Sequence, residues 1–142
     1  MSVSDSTIGQ TLSPLVKSPI EQEQLRRYAA ASGDYNPIHL DPEAARRVGL
    51  DGVIAHGMLS MAFLGQFVNQ QIVGEPGARV GQLKVRYIGM VRLDDTLTCQ
   101  GRVAARVEEE TETAITLECW AQNQRGEQVT TGEAVIYVPH RS

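Results

Sequence analysis

Two short stretches hold the residue types from which a proton-transfer site is built. The first reads Ser32-Gly33-Asp34-Tyr35-Asn36-Pro37-Ile38-His39-Leu40-Asp41 and sets an acid, an amide and an imidazole within six positions. Gly33 and Pro37 keep this segment from becoming regular. The second, Val53-Ile54-Ala55-His56-Gly57-Met58-Leu59-Ser60, opens an apolar helix with an imidazole and a glycine. Asp34 and His39 are five positions apart on a proline-stiffened loop, so both side chains can converge on one water. Gly57 near a helix N-terminus offers an unhindered N–H aimed outward along a favourable dipole. An acid–base pair beside such a donor is the equipment for moving a proton alpha to a thioester carbonyl, through an enolate-like transition state.

Each residue also has a plainer reading. Gly33-Asp34 before Asn36-Pro37 is good turn chemistry. A histidine such as His39 can be a satisfied structural residue, and His56 could simply hydrogen-bond the first turn of its own helix. Glycine inside a helix costs about 1 kcal/mol relative to alanine. At Gly57 that cost points either to a group approaching the backbone closely or to tight packing. No serine elbow, GxGxxG or phosphate loop competes for the assignment.

The elements that must position these residues are legible in order. Residues 1–10 read as a frayed end, followed by a short strand around Leu12, Leu15 and Val16. Ser18-Pro19-Ile20-Glu21 has the form of a capping box, with proline at the first helical position. The helix it predicts buries Leu25, Tyr28, Ala29 and Ser32 and stops at Gly33. Asp41-Pro42-Glu43 repeats the start for a short helix through Arg47, closed by Gly49. From Ile54 to Gln70 the apolar residues fall nearly all round a helix, which predicts that the helix is wrapped. The remainder alternates with period two around Leu83–Tyr87, Leu97–Val107 and Ile115–Ala121, as antiparallel strands with one buried face do. Ala134–Val138 is apolar on both faces, which predicts a place in the sheet's interior or at a subunit contact. The expected class is α+β, a single hot-dog domain over residues 1–142 with one long helix wrapped by a curved antiparallel sheet.

Composition narrows the function classes. With 142 residues the chain can bury a core without staples. A net charge of −4 speaks against nucleic acid, and no Lys/Arg cluster suits an anionic membrane. Met1 to Thr11 lacks basic residues and an apolar stretch, so it does not read as a signal peptide. Cys99 and Cys119 are too few and too far apart for a metal knuckle, and read as reduced core thiols of a cytoplasmic protein. No metal is expected.

Tyr28-Ala29-Ala30-Ala31-Ser32-Gly33-Asp34-Tyr35-Asn36-Pro37-Ile38-His39-Leu40-Asp41, followed by Ile54-Ala55-His56-Gly57-Met58, resembles the hydratase-2 motif of the MaoC-like dehydratases. These include (R)-specific enoyl-CoA hydratases and (3R)-hydroxyacyl-thioester dehydratases. The resemblance is strongest over 28–62 and looser toward Thr131-Gly132-Glu133-Ala134. It implies a hot-dog fold, usually paired as dimers, acting on an acyl-CoA or acyl carrier protein thioester. No cofactor beyond that handle is implied. Asp34 and His39 would be the catalytic pair, Asn36 would steady the loop, and the Gly57 amide would polarise the thioester carbonyl. His56 and Ser60 would support the site, with Ile54, Ala55 and Met58 beside the substrate. Some members carry a serine two turns past the glycine. Gly65 stands there in this chain, leaving that role unfilled or taken by Ser60. The turn often written Pro-Gly-Asp-Thr is Leu93-Asp94-Asp95-Thr96, which alters only a turn.

The expected reaction is reversible syn hydration of a trans-2-enoyl thioester, with the roles of acid and base left open between Asp34 and His39. The rivals are a binding-only subunit, which has no need for either residue, and a hot-dog thioesterase, which normally carries a carboxylate on the long helix. A homodimer is expected, or a heterodimer with a second hot-dog subunit.

Overall fold

The computed structural model describes residues 2–141. One curled sheet holds β1 (Leu15–Val16), β2 (Arg79–Tyr87), β3 (Thr98–Glu108), β4 (Glu112–Gln122) and β5 (Gln128–Pro139), all pairings antiparallel, in the order β1-β3-β4-β5-β2. The helices α1 (Gln22–Ser32), α2 (Pro42–Arg47) and α3 (Gly57–Ile72) precede strands β2–β5, and α3 packs on one sheet face. This is the expected hot-dog arrangement.

Alternation in sequence becomes alternation in burial. In β4, Thr113, Ile115, Leu117, Cys119 and Ala121 are buried, while Ala114, Thr116, Glu118 and Trp120 face the other way. β5 lies between β4 and β2, so its apolar residues on both faces belong to the sheet's interior. The core is filled by the α3 stripe Leu59, Phe63, Leu64, Phe67, Val68 and Ile72 against these strands. Phe67 can sit flat on β3 because residue 101 is glycine. A Cβ there would come within 3.0 Å of the Phe67 ring and 2.7 Å of the Glu118 carbonyl oxygen. Burial pushes the thiols of Cys99 and Cys119 up to about 12 and about 11, as expected of core cysteines. No described helix is long and apolar enough to cross a membrane.

Several expectations need correction, among them the buried stripe of α1, which holds Leu25 and Ala29 but leaves Ser32 exposed. Residues 2–10 do not form a frayed end. Val3 is buried in a single 3-10 turn, and the Gly9 N–H donates to the Val103 carbonyl at 2.7 Å. Ser18-Pro19-Ile20-Glu21 is not a capping box. Ile20 is fully buried and pairs its N–H with Asp95 O at 3.0 Å and its carbonyl with Asp94 N at 2.9 Å. Those bonds hold the chain extended, so α1 starts only at Gln22, with Glu21 as an N-cap whose side chain makes no cap bond. The long helix begins at Gly57 rather than Ile54, because Ile54 bridges to Arg92 and the Ala55 N–H donates to Val91 O at 2.7 Å. Nor is α3 enclosed all round: Met58 is 61% exposed and Ala62 is exposed.

Other local signals hold. Gly33 ends α1 in the left-handed region at φ 78°, and the Asp41 side chain accepts from Glu43 N at 3.0 Å to start α2.

The Leu93–Thr96 turn carries more structure than a connection. Asp94 adopts φ 69°, which a Cβ disfavours. Asp94→Gly should therefore stabilise the chain by about 0.5–1 kcal/mol, read as a raised denaturation midpoint. Asp95 is buried, and burial alone would raise its carboxyl pKa. The Arg92 N–H, the Gln124 amide and the Arg125 guanidinium outweigh this and hold it below the usual range. A depressed folded value means stability present at neutral pH and lost as pH falls through that value. Asp95→Asn should cost about 1–3 kcal/mol at pH 7, a difference that shrinks as pH falls below the ordinary carboxylate value of about 4 and through the depressed folded value. Urea melts across pH 3–7 would show this convergence.

Candidate active site

The loop between α1 and α2 is built by short side chains bonding to nearby backbone. The Asp34 N–H donates to Ser32 Oγ at 3.2 Å, and the Asn36 N–H donates to Asp34 Oδ1 at 3.1 Å. Asn36 then caps the single 3-10 turn Pro37–His39, its Oδ1 accepting from Ile38 N at 3.2 Å. Asn36 thus steadies the loop, as its turn position suggests. Two bonds lash that turn to the strand-like segment before α3. The Ile54 N–H donates to Ile38 O at 3.1 Å, and His39 Nδ1 donates to Ile54 O at 2.7 Å. A carbonyl can only accept, so the His39 proton sits on Nδ1 and Nε2 is the nitrogen turned to Asp34.

His39 Nε2 lies 3.9 Å from Asp34 Oδ2, with the carboxylate about half exposed and the imidazole nearly buried. That gap is too long for a direct hydrogen bond, yet one water about 2.8 Å from each group would fit between them. His56 stacks on His39 with centroids 4.0 Å apart and planes at 23°, and its Nε2 donates to the Asp34 backbone carbonyl at 2.9 Å. Asp34, His39 and His56 bring ligand-type atoms within 4.8 Å of one another. The two rings lie face to face rather than converging on one centre. His39 Nδ1 and His56 Nε2 are each taken up by a carbonyl.

Gly57 is the first residue of α3, so its N–H is one of those without an intrahelical acceptor, at the positive end of the helix dipole. The residue is exposed. The atoms nearest to a Cβ built on it belong to the Tyr87 ring, at 3.5–3.6 Å, an ordinary contact. Packing therefore does not demand glycine here.

The structure relocates several other residues. His56 does not bond the first turn of its helix, although it occupies the N-cap. Ser60 is buried and donates to Gly57 O at 2.8 Å while accepting from Thr130 Oγ1 at 2.6 Å. Its hydroxyl ties α3 to β5 and is not presented to a ligand. Ala55 is buried and Ile54 half-buried, both ahead of the helix, and Met58 stands exposed beside Gly57. A methyl at Gly65 would touch only Leu83, at 3.9 Å.

Two tyrosines join the site without having been singled out. Tyr28 on α1 lies 4.8 Å from His56, ring to ring. Burial, then the nearby Tyr87 and Asp34, push its hydroxyl pKa up, keeping it a neutral donor. Tyr87, at the end of β2, lies over Gly57 and donates to Met61 Sδ at 3.7 Å. In sequence Tyr28 reads as a core-stripe residue and Tyr87 as an inward strand residue. A cavity of about 590 Å³ opens elsewhere, on the sheet face bearing Arg102, Trp120 and Thr131, and contains none of these groups.

The model of the MaoC like domain matches residues 3–122. The chain is 31% identical over 116 residues to an (R)-specific enoyl-CoA hydratase of Aeromonas caviae, covering 82% of this chain and 84% of that protein. It is 32% identical over 122 residues to an (R)-specific enoyl-CoA hydratase of Rhodospirillum rubrum, covering 86% and 82%. An R-hydratase of Pseudomonas aeruginosa, solved in its unliganded form, superposes with a TM-score of 0.84 at 31% identity, over 97% of this chain and 85% of that one. On the extent of the domain match and on these relatives, the chain belongs to the MaoC-like family.

Proposed function

We propose that the chain reversibly hydrates trans-2-enoyl thioesters, carried on CoA or an acyl carrier protein, to (3R)-hydroxyacyl thioesters. The observation that carries this reading is the 3.9 Å gap between Asp34 Oδ2 and His39 Nε2, sized for one water, beside the free amide of Gly57. The thioester carbonyl accepts from the Gly57 N–H, which stabilises the negative charge that builds on its oxygen. Water held by Asp34 and His39 adds its oxygen to Cβ. The pair removes one proton from that water and delivers one to Cα on the same face, ending the turnover with its original proton count. Asn36 holds the loop, and Met58 and Tyr87 border the carbonyl site.

A thioesterase is disfavoured by the lack of any carboxylate along α3, from Gly57 to Ile72. Incubating crotonyl-CoA with the purified chain and resolving the product on a chiral phase tests the assignment. The (3R)-hydroxy product is expected, and release of free CoA would instead indicate a thioesterase.

The working unit is proposed to be a dimer, homodimeric when the chain is expressed alone. β2 is an open sheet edge, and Val80, Tyr87, Ile88 and Met90 along or just past it are exposed, as are Tyr35 and Met58 at the site. An unprotected edge flanked by apolar side chains is a pairing surface. A second copy beside it would also cover a site that is an open surface in one chain. Light scattering at micromolar concentration should give about twice the 15.5 kDa chain mass. An active species at the single-chain mass would show the pairing to be unnecessary.

A further inference from the structure

His56 sits where the Asp34 loop, the His39 turn and the start of α3 meet, and it is 2% exposed. Its Nε2–H donates to the Asp34 backbone carbonyl at 2.9 Å, one ring face stacks on His39 at 4.0 Å, and Tyr28 packs at 4.8 Å. Its Nδ1 is buried and has no partner among the described residues. A buried polar atom left unpaired costs stability. Residue 56 is also an N-cap, a place where serine, threonine, aspartate or asparagine would serve the helix better, and its side chain makes no cap bond. A residue that breaks two local rules at once is in place for something other than stability.

We propose that His56 is the positioning residue that sets the water-holding gap between Asp34 and His39. It acts through the Asp34 carbonyl and the His39 ring face and does not touch substrate. Asp34 is exposed, and the hydrogen bonds of its N–H to Ser32 Oγ and of its carboxylate from the Asn36 N–H are both local. The bond from His56 is the one that reaches across to α3, while the stack fixes the plane of His39. If the bond or the stack is removed, the carboxylate and imidazole are free to close into a direct pair that excludes the water, or to separate beyond its reach.

The inference rests on the hydratase reading, and the bond and the stack can be broken separately. His56→Phe keeps a ring face for His39 and removes the donor. His56→Gln keeps a donor near the Nε2 position and removes the ring. Each should lower kcat for crotonyl-CoA hydration by about 10- to 100-fold, the scale of a small misplacement of reacting groups, with KM changed less than about threefold. The kcat–pH profile should change shape in both variants, a change that a purely structural loss would not produce. An inactive wild-type chain would overturn the hydratase reading and this role with it. An active wild type, an inactive Asp34→Asn variant and both His56 variants at wild-type kcat would overturn the positioning role alone. Unfolding of both His56 variants would mark the residue as structural and overturn it as well.

Discussion

Asp34→Asn should lower kcat for enoyl-thioester hydration by roughly 10²–10⁴-fold, the range expected when general acid–base catalysis is lost. The substitution is conservative in structure. The amide oxygen can still accept from the Asn36 N–H, which now donates to Asp34 Oδ1 at 3.1 Å, so the loop keeps its turn. What disappears is the carboxylate oxygen facing His39 at 3.9 Å and its capacity to take up a proton. His39→Ala should show a loss of the same order, but it also removes the bond to Ile54 O and the stack on His56. Its melting temperature must therefore be read beside its kcat. Activity within a few-fold of wild type for either variant would remove the mechanism.

Gly57→Val should suppress turnover by about 10²-fold or more, the scale of a lost oxyanion donor. Two readings of this glycine stand open in the sequence, close approach by a ligand and tight packing, and the room for a Cβ at residue 57 weighs against the second. The nearest neighbour of a methyl at this position is the Tyr87 ring at 3.5–3.6 Å, and the backbone is not in the left-handed region. Gly57→Ala should therefore fold at least as well as wild type, within about 1 kcal/mol, and still lose activity through crowding of the carbonyl oxygen. Stable but slow variants are the expected outcome. Variants that unfold would restore the packing explanation.

The parts of this fold legible in the sequence are those governed by neighbours along the chain. Alternation marked β3, β4 and the second half of β2, Asp41-Pro42-Glu43 marked α2, and Gly33 marked the end of α1. The two misplaced helix starts have a common cause, which is that long-range pairing overrode local preference. Ser18–Glu21 has good capping chemistry, but Ile20 is drawn into the core and its backbone pairs with Asp94 and Asp95. Ile54 and Ala55 continue the apolar pattern of α3, but their backbone is claimed by Arg92 and Val91.

The site divides along the same line. Asp34, Asn36 and His39 converge because a local turn makes them converge, so their spacing carried the information. Which way the side chains of Ser60 and His56 point is decided by what α3 packs against, and helical periodicity alone could not assign it. Tyr87 reaches Gly57 only because β2 runs beside α3, a pairing between distant parts of the chain that no local motif encodes.

The most direct test of the central claim is the decay of enoyl-thioester absorbance when crotonyl-CoA is mixed with the purified chain alone, run beside Asp34→Asn at equal concentration. Rapid loss of the band with wild type, and loss slowed by at least about 10²-fold with Asp34→Asn, is the predicted result. A band that persists with the folded wild-type chain, or that decays equally fast with both proteins, would contradict it.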